Sequence, residues 1–139
     1  MFKSILVPVD VSVPDDTQRL LKQAGALADQ WGSDLHVVTV VPNVGMAIVG
    51  TQLDQNFEET SRMRASDELS AMLSQAAVSA TPHTLMGTVY DRVIVLAEEL
   101  DVALIVLGAH RPELRDYLLG SNAARLVRHS NRSVLVLRD

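Results

Sequence analysis

The sequence contains no cysteine. Disulfide frameworks, thiolate metal sites and cysteine nucleophiles are excluded together, and a reducing cytoplasm is the expected setting. Long apolar runs are missing as well. Val102 to Leu107 is typical of the longest and stops far short of the roughly 18 residues a membrane span needs, so no membrane span is expected. Asp10 interrupts the first apolar run and no small-residue cleavage site follows it, so no signal peptide is expected either. There is no basic excess: 12 Lys and Arg stand against 17 Asp and Glu, a net charge of −5 that argues against a general nucleic-acid binder.

Two nucleotide signatures are also missing. Gly45 and Gly50 have P-loop spacing, but Thr51 stands where that loop needs lysine. After the first apolar run comes Asp10-Val11-Ser12, not the Gly-x-Gly-x-x-Gly of dinucleotide folds. Common NTPases and NAD dehydrogenases are therefore set aside. No two histidines among His36, His83, His110 and His129 have a spacing that demands a metal. His36 and His129 are expected on the surfaces of a strand and a helix, and His83 at the start of a strand.

What is present is one ordinary globular domain: 139 residues, 47% of them hydrophobic, enough to bury a core without covalent help. Phe2 to Asp10 reads as a buried strand ended by proline and an acid. Pro14, Asp15 and Asp16 suit the first turn of a helix whose inner face carries Leu20, Ala24, Leu27 and Trp31, and which Gly32 can stop. Leu35 to Val41 is a second strand. The segment Asn43 to Asn56 is too apolar for a solvated loop, so it is expected to cover a sheet edge, a subunit contact or a ligand. A long helix with Ala65, Leu69, Met72 and Ala76 on one face follows. Next come a strand from Pro82 to Gly87, a helix from Asp91 to Leu100, a strand from Ala103 to Leu107, a helix from Asn122 to His129 and a strand from Ser133 to Leu137. Five strands without polar alternation, alternating with four helices, predict an α/β fold: a doubly wound parallel sheet of Rossmann-like type, with its ligand site outside the carboxyl ends of the strands.

Charge is uneven along the chain. Residues 1–100 carry six basic and thirteen acidic side chains, whereas residues 101–139 carry six and four. An anion site is therefore sought in the last third. That region holds Gly108-Ala109-His110-Arg111-Pro112 after the fourth strand and Gly120-Ser121-Asn122 at the start of the last helix. A helix N-terminus offers unpaired N–H groups and positive dipole potential, and glycine lets a phosphate approach the backbone. Taken alone, Gly-Ser before a helix is equally an ordinary cap.

Together with Ile5-Leu6-Val7-Pro8-Val9-Asp10, Tyr117-Leu118-Leu119-Gly120-Ser121-Asn122-Ala123-Ala124, Val127-Arg128-His129 and Ser133-Val134-Leu135-Val136, these segments resemble the universal stress proteins over essentially the whole chain. The wording is most similar to the nucleotide-binding branch of F and G type. That branch carries Gly-x-x-Gly, nine residues, then Gly-Ser or Gly-Thr. Here Arg111 replaces the second glycine, with eight residues between it and Gly120, and offers charge where the glycine offers backbone approach.

The resemblance implies an adenine nucleotide alpha-hydrolase-like fold and ATP as ligand. Pro8, Val9 and Asp10 would border the adenosine, Asp10 bonding a ribose hydroxyl or the adenine amine. Val41 would flank the base. Gly108, His110 and Arg111 would meet ribose and phosphates, Gly120, Ser121 and Asn122 would cradle the phosphates, and Ser133 with Val134 would close the site. No carboxylate cage is legible, so a Mg2+ arriving with ATP would be held mainly by phosphate oxygens and water. The resemblance also allows slow ATP hydrolysis or autophosphorylation, although no general base is evident beside Ser121. A nucleotide-hydrolysing enzyme and a nucleotide-free or receiver-like interaction module are the rival readings. The final strand, with no lysine, proline or inward charge before Arg138, is expected to join a homodimer.

Overall fold

The computed structural model describes residues 1–42, 52–109 and 121–138, and for residues 52–56, 121 and 122 the backbone only. In chain order the elements are β1 (Ser4–Pro8), α1 (Pro14–Trp31), β2 (Asp34–Val41), α2 (Gln52–Ala76), β3 (Thr81–Met86), α3 (Val89–Leu100), β4 (Leu104–Gly108), α4 (Ser121–His129) and β5 (Ser133–Leu137). The strands form one sheet in the order β3-β2-β1-β4-β5, and every pairing is parallel. The α/β architecture expected from the alternating pattern is the one observed.

Successive residues of a strand point to opposite faces, and here both faces are covered. Ile5, Val7, Val37, Leu104 and Val106 pack on one side against Leu21 and Ala24 of α1 and Leu69 and Leu73 of α2. Leu6, Val38, Ile105 and Leu107 pack on the other side against Val93 and Leu96 of α3 and Leu126 of α4. Burial on two faces is why these strands lack a regular polar alternation.

Helix α1 starts with Pro14, whose missing N–H costs nothing in the first turn, and ends at Gly32 in the left-handed conformation with φ 65°. The buried stripe of α1 is Thr17, Leu20, Leu21, Ala24 and Ala28, so it lies slightly to one side of the expected face. Leu27 is half-buried, and the ring of Trp31 meets Phe2, just ahead of the central strand β1, edge-on at 5.4 Å. Helix α2 begins at Gln52, inside the segment expected to be a cover; the rest of that segment, residues 43–51, lies outside the described residues. Ala65, Leu69 and Leu73 of α2 are buried, whereas Phe57 and Met63 are exposed.

The two edge strands differ. In β3, Pro82 stands opposite Val37, and an edge proline removes an N–H that a foreign strand could use. Strand β5 has no such guard, and Val134 to Leu137 are only half-buried.

Candidate functional site

Parallel strands bring all five carboxyl ends to one side of the sheet. The order changes direction between β1 and β4, which makes the crevice outside β1 the expected ligand position. Pro8 ends β1, and the Val9 N–H donates to the Val38 carbonyl at 2.8 Å, carrying the pairing one residue beyond the strand. At Asp10 the chain turns. The Ser12 N–H donates to Asp10 Oδ1 at 2.9 Å and the Ser12 hydroxyl donates to the same oxygen, an Asx turn that explains an aspartate at this position. The Asp10 backbone carbonyl accepts from the Val13 N–H at 3.1 Å and from the Thr17 hydroxyl at 2.6 Å. Among the described residues, every one of these bonds uses Oδ1 or the main-chain oxygen. Oδ2 of the half-exposed carboxylate is therefore available to a ligand donor.

Asp10 stands at the junction of two recesses. On the β2 side, a cleft of about 550 Å³ is lined by Val9, Asp10, Thr39, Val40, Val41 and Pro42, closed from above by Arg64 and Ala65 of α2. It is largely apolar with a few convergent polar groups, as small-molecule sites are. On the β4 side, a small crevice of about 40 Å³ is lined by Val9, Asp10, Leu20, Gly108 and Ala109. Gly108 ends β4, and a Cβ there would lie 3.3 Å from a methyl carbon of Leu20. Close packing of α1 on β4 thus gives this glycine a role of its own, beside any role in phosphate approach.

The expected site residues divide into three groups. Pro8, Val9, Asp10, Val41 and Gly108 come together at the carboxyl end of the sheet. His110, Arg111 and Gly120 lie outside the described residues, whereas Ser121 and Asn122 open α4, which places a helix N-terminus after β4. Ser133 and Val134 are not brought to the cleft. They open β5 and pair with Leu104 and Ile105, so Ser133 stands about 13 Å along the strand from Leu137, the β5 residue level with Gly108. The strand direction is the reason: only the last residue of β5 reaches the side where Asp10 lies.

Several cleft residues carried no sequence signal. Thr39 is a buried polar side chain on β2, and Ser61, Arg64 and Glu68 face the cleft from α2. Their positions depend on how α2 packs, which the spacing of its own residues does not reveal. A wider recess of about 830 Å³, lined by small residues such as Gly25, Ala77 and Ala80, lies at the opposite, amino end of β2 and β3. No group of three or more His, Asp or Glu side chains able to hold a metal ion is found among the described residues. None of the described helices is long and apolar enough to cross a membrane.

Comparison with known proteins follows the same lines. The sequence profile of the Universal stress protein family matches residues 1–138. Universal stress protein G of Shigella flexneri is 34% identical over 143 residues, spanning 99% of this chain and 100% of its own. Among solved structures, universal stress protein UspA from Lactobacillus plantarum superposes with a TM-score of 0.76 at 23% identity, covering 98% of this chain and 97% of its own. A universal stress protein solved in complex with cAMP has a TM-score of 0.68 at 20% identity, covering 98% and 97%. The one from Archaeoglobus fulgidus in complex with dAMP has a TM-score of 0.60 at 20% identity, covering 96% of each chain.

Proposed function

The chain belongs to the universal stress protein family, and from that premise we propose that it is a cytoplasmic adenine-nucleotide-binding regulator, with ATP as ligand. Nucleotide occupancy then biases contacts with a second copy or with partners, and turnover is at most slow. The observation that carries this reading is the position of Asp10 between an apolar cleft beside Val41 and a crevice beside Gly108. A nucleoside fits the first. Its phosphates then run across the end of β1 toward the N-terminus of α4, where backbone N–H groups and the helix dipole favour anions. Relatives solved with cAMP and with dAMP support an adenine ligand.

In this reading Val9, Val40 and Val41 cover the faces of the base and exclude water, while Asp10 Oδ2 accepts from a nucleoside donor. Gly108, Gly120, Ser121 and Asn122 hold the phosphates, joined by His110 and Arg111. With no acidic cluster among the described residues, an accompanying Mg2+ is carried by phosphate oxygens and water.

The test is calorimetric titration of ATP into the wild type and Ser121→Glu, with chromatography of nucleotide released on heating the purified protein. A glutamate in the first turn is compatible with the helix but places negative charge where phosphates would bind. ATP binding by the wild type and its loss in a folded variant support the reading. A wild type that neither retains nor binds adenine nucleotide overturns it in favour of a nucleotide-free interaction module. An unchanged affinity in the variant removes the phosphates from α4.

A further inference from the structure

Two histidines that stand 47 positions apart in the chain meet across the β2–β3 edge. His36 Nδ1 lies 3.1 Å from His83 Nε2, and the ring centroids are 5.3 Å apart with planes inclined by 36°. Register explains the meeting. His36 pairs with Thr81 and Val38 with His83, so the two rings are diagonal neighbours on one face of the sheet, the face that also carries Val38 and Leu85. His83 is the third residue of its strand and is half-buried.

We propose that His36 and His83 are the two protein ligands of a binding site for a divalent late first-row transition ion, with Zn2+ the ion to test. Zinc–imidazole bonds are about 2.0–2.1 Å, so two nitrogens 3.1 Å apart subtend roughly 100° at a shared ion, close to the tetrahedral angle. The ion sits about 1.3 Å off the line between the nitrogens, and water fills its remaining positions. Imidazole is a preferred donor for zinc, copper and nickel, and it ligates in its neutral form. Burial, then the neighbouring His36, lower the pKa of His83.

Access is from solvent: both rings are only half-buried, and β3 is an edge strand of the sheet. Without an ion the same gap is spanned by one N–H···N bond. Starting from two neutral rings, ligation moves that proton to the other nitrogen of its own ring. The site lies away from the nucleotide cleft and does not depend on it.

The experiment is titration of the full, chelator-treated chain with ZnCl2, read by calorimetry and by the imidazole C–H resonances. With no cysteine and only four histidines, background sites are few. The expected result is one site, perturbing the resonances of two histidines. His36→Gln and His83→Gln should each weaken it by at least about tenfold, the loss that removing even an outer partner of a metal ligand can cause, with His129→Gln unchanged. The resonance readout stands even where a variant fails to fold. No saturable site in the wild type, equal perturbation of all four histidines, or retained affinity in a folded His36→Gln/His83→Gln double variant overturns the proposal and leaves a plain hydrogen bond.

Discussion

The Thr17 hydroxyl, buried in the first turn of α1, donates to the backbone carbonyl of Asp10 at 2.6 Å. This bond fixes the end of β1 to the start of α1, so it sets the position of the carboxylate that faces both recesses. Thr17→Val keeps the shape and removes the donor, while the carbonyl retains the Val13 N–H. The expected stability loss is about 1 kcal/mol, the net worth of one ordinary hydrogen bond, seen as a lower urea midpoint with unchanged slope. ATP affinity should fall with it, because Asp10 is less firmly held. A variant as stable as the wild type would show that the turn is fixed by the Ser12 bonds alone.

Asp10→Ala separates the nucleoside from the phosphates. Losing a hydrogen bond to a charged acceptor costs about 1–3 kcal/mol, which is roughly one to two decades of ATP affinity. Inorganic triphosphate, which has no nucleoside, should bind the variant and the wild type alike. Parallel losses for both ligands in competition titrations would place Asp10 at the phosphates instead.

Strands β1, β4 and β5 were legible because burial on two faces leaves apolar runs, β2 because its β-branched residues outnumber His36 and Thr39, and α1 because Pro14 and Gly32 mark both ends. Helix α2 was legible only in its second half. Phe57 and Met63 are exposed while Ala65 and Leu69 are buried, so its apolar residues do not form one stripe. In the site, Asp10 and Gly108 could be placed because strand ends carry their own punctuation. Arg64 and the meeting of His36 with His83 could not, because each depends on packing between elements distant in sequence. Ser133 and Val134 were assigned to the site through resemblance, and only the parallel direction of β5 shows that they lie at the end of the sheet away from Asp10.

Stability should depend on pH through His83. Burial and His36 hold its folded pKa below the unfolded value of about 6.5, so between those two values the unfolded chain binds the proton and the folded chain does not. The contribution of this group is therefore intact above about pH 6.5. It declines as pH falls from there through the lower folded value. Urea midpoints measured in chelator between about pH 7.5 and 5 should fall more steeply for the wild type than for His83→Gln. Parallel curves would mean that the buried imidazole takes up its proton as readily as it does in water.

The final strand bears on assembly, because β5 ends the sheet order and no described strand lies beyond it. The Leu137 carbonyl accepts from the Ala109 N–H at 2.8 Å, so the polar groups of Leu137 face β4. In a strand the N–H and C=O of one residue point the same way and alternate with those of the next. Val136 and Val134 therefore turn theirs outward, and a second copy could pair with them about a two-fold axis. Val134 to Leu137 are apolar yet only half-buried in one chain, so such pairing would also remove apolar surface from water. The opposite edge carries Pro82 and is the poorer template. Val136→Pro deletes an outward N–H without touching the ladder to β4. Sedimentation equilibrium should give the wild type about twice the 15.1 kDa chain mass and shift the variant toward one chain. A monomeric wild type, or a dimer that persists in a folded Val136→Pro variant, would remove the contact from this strand.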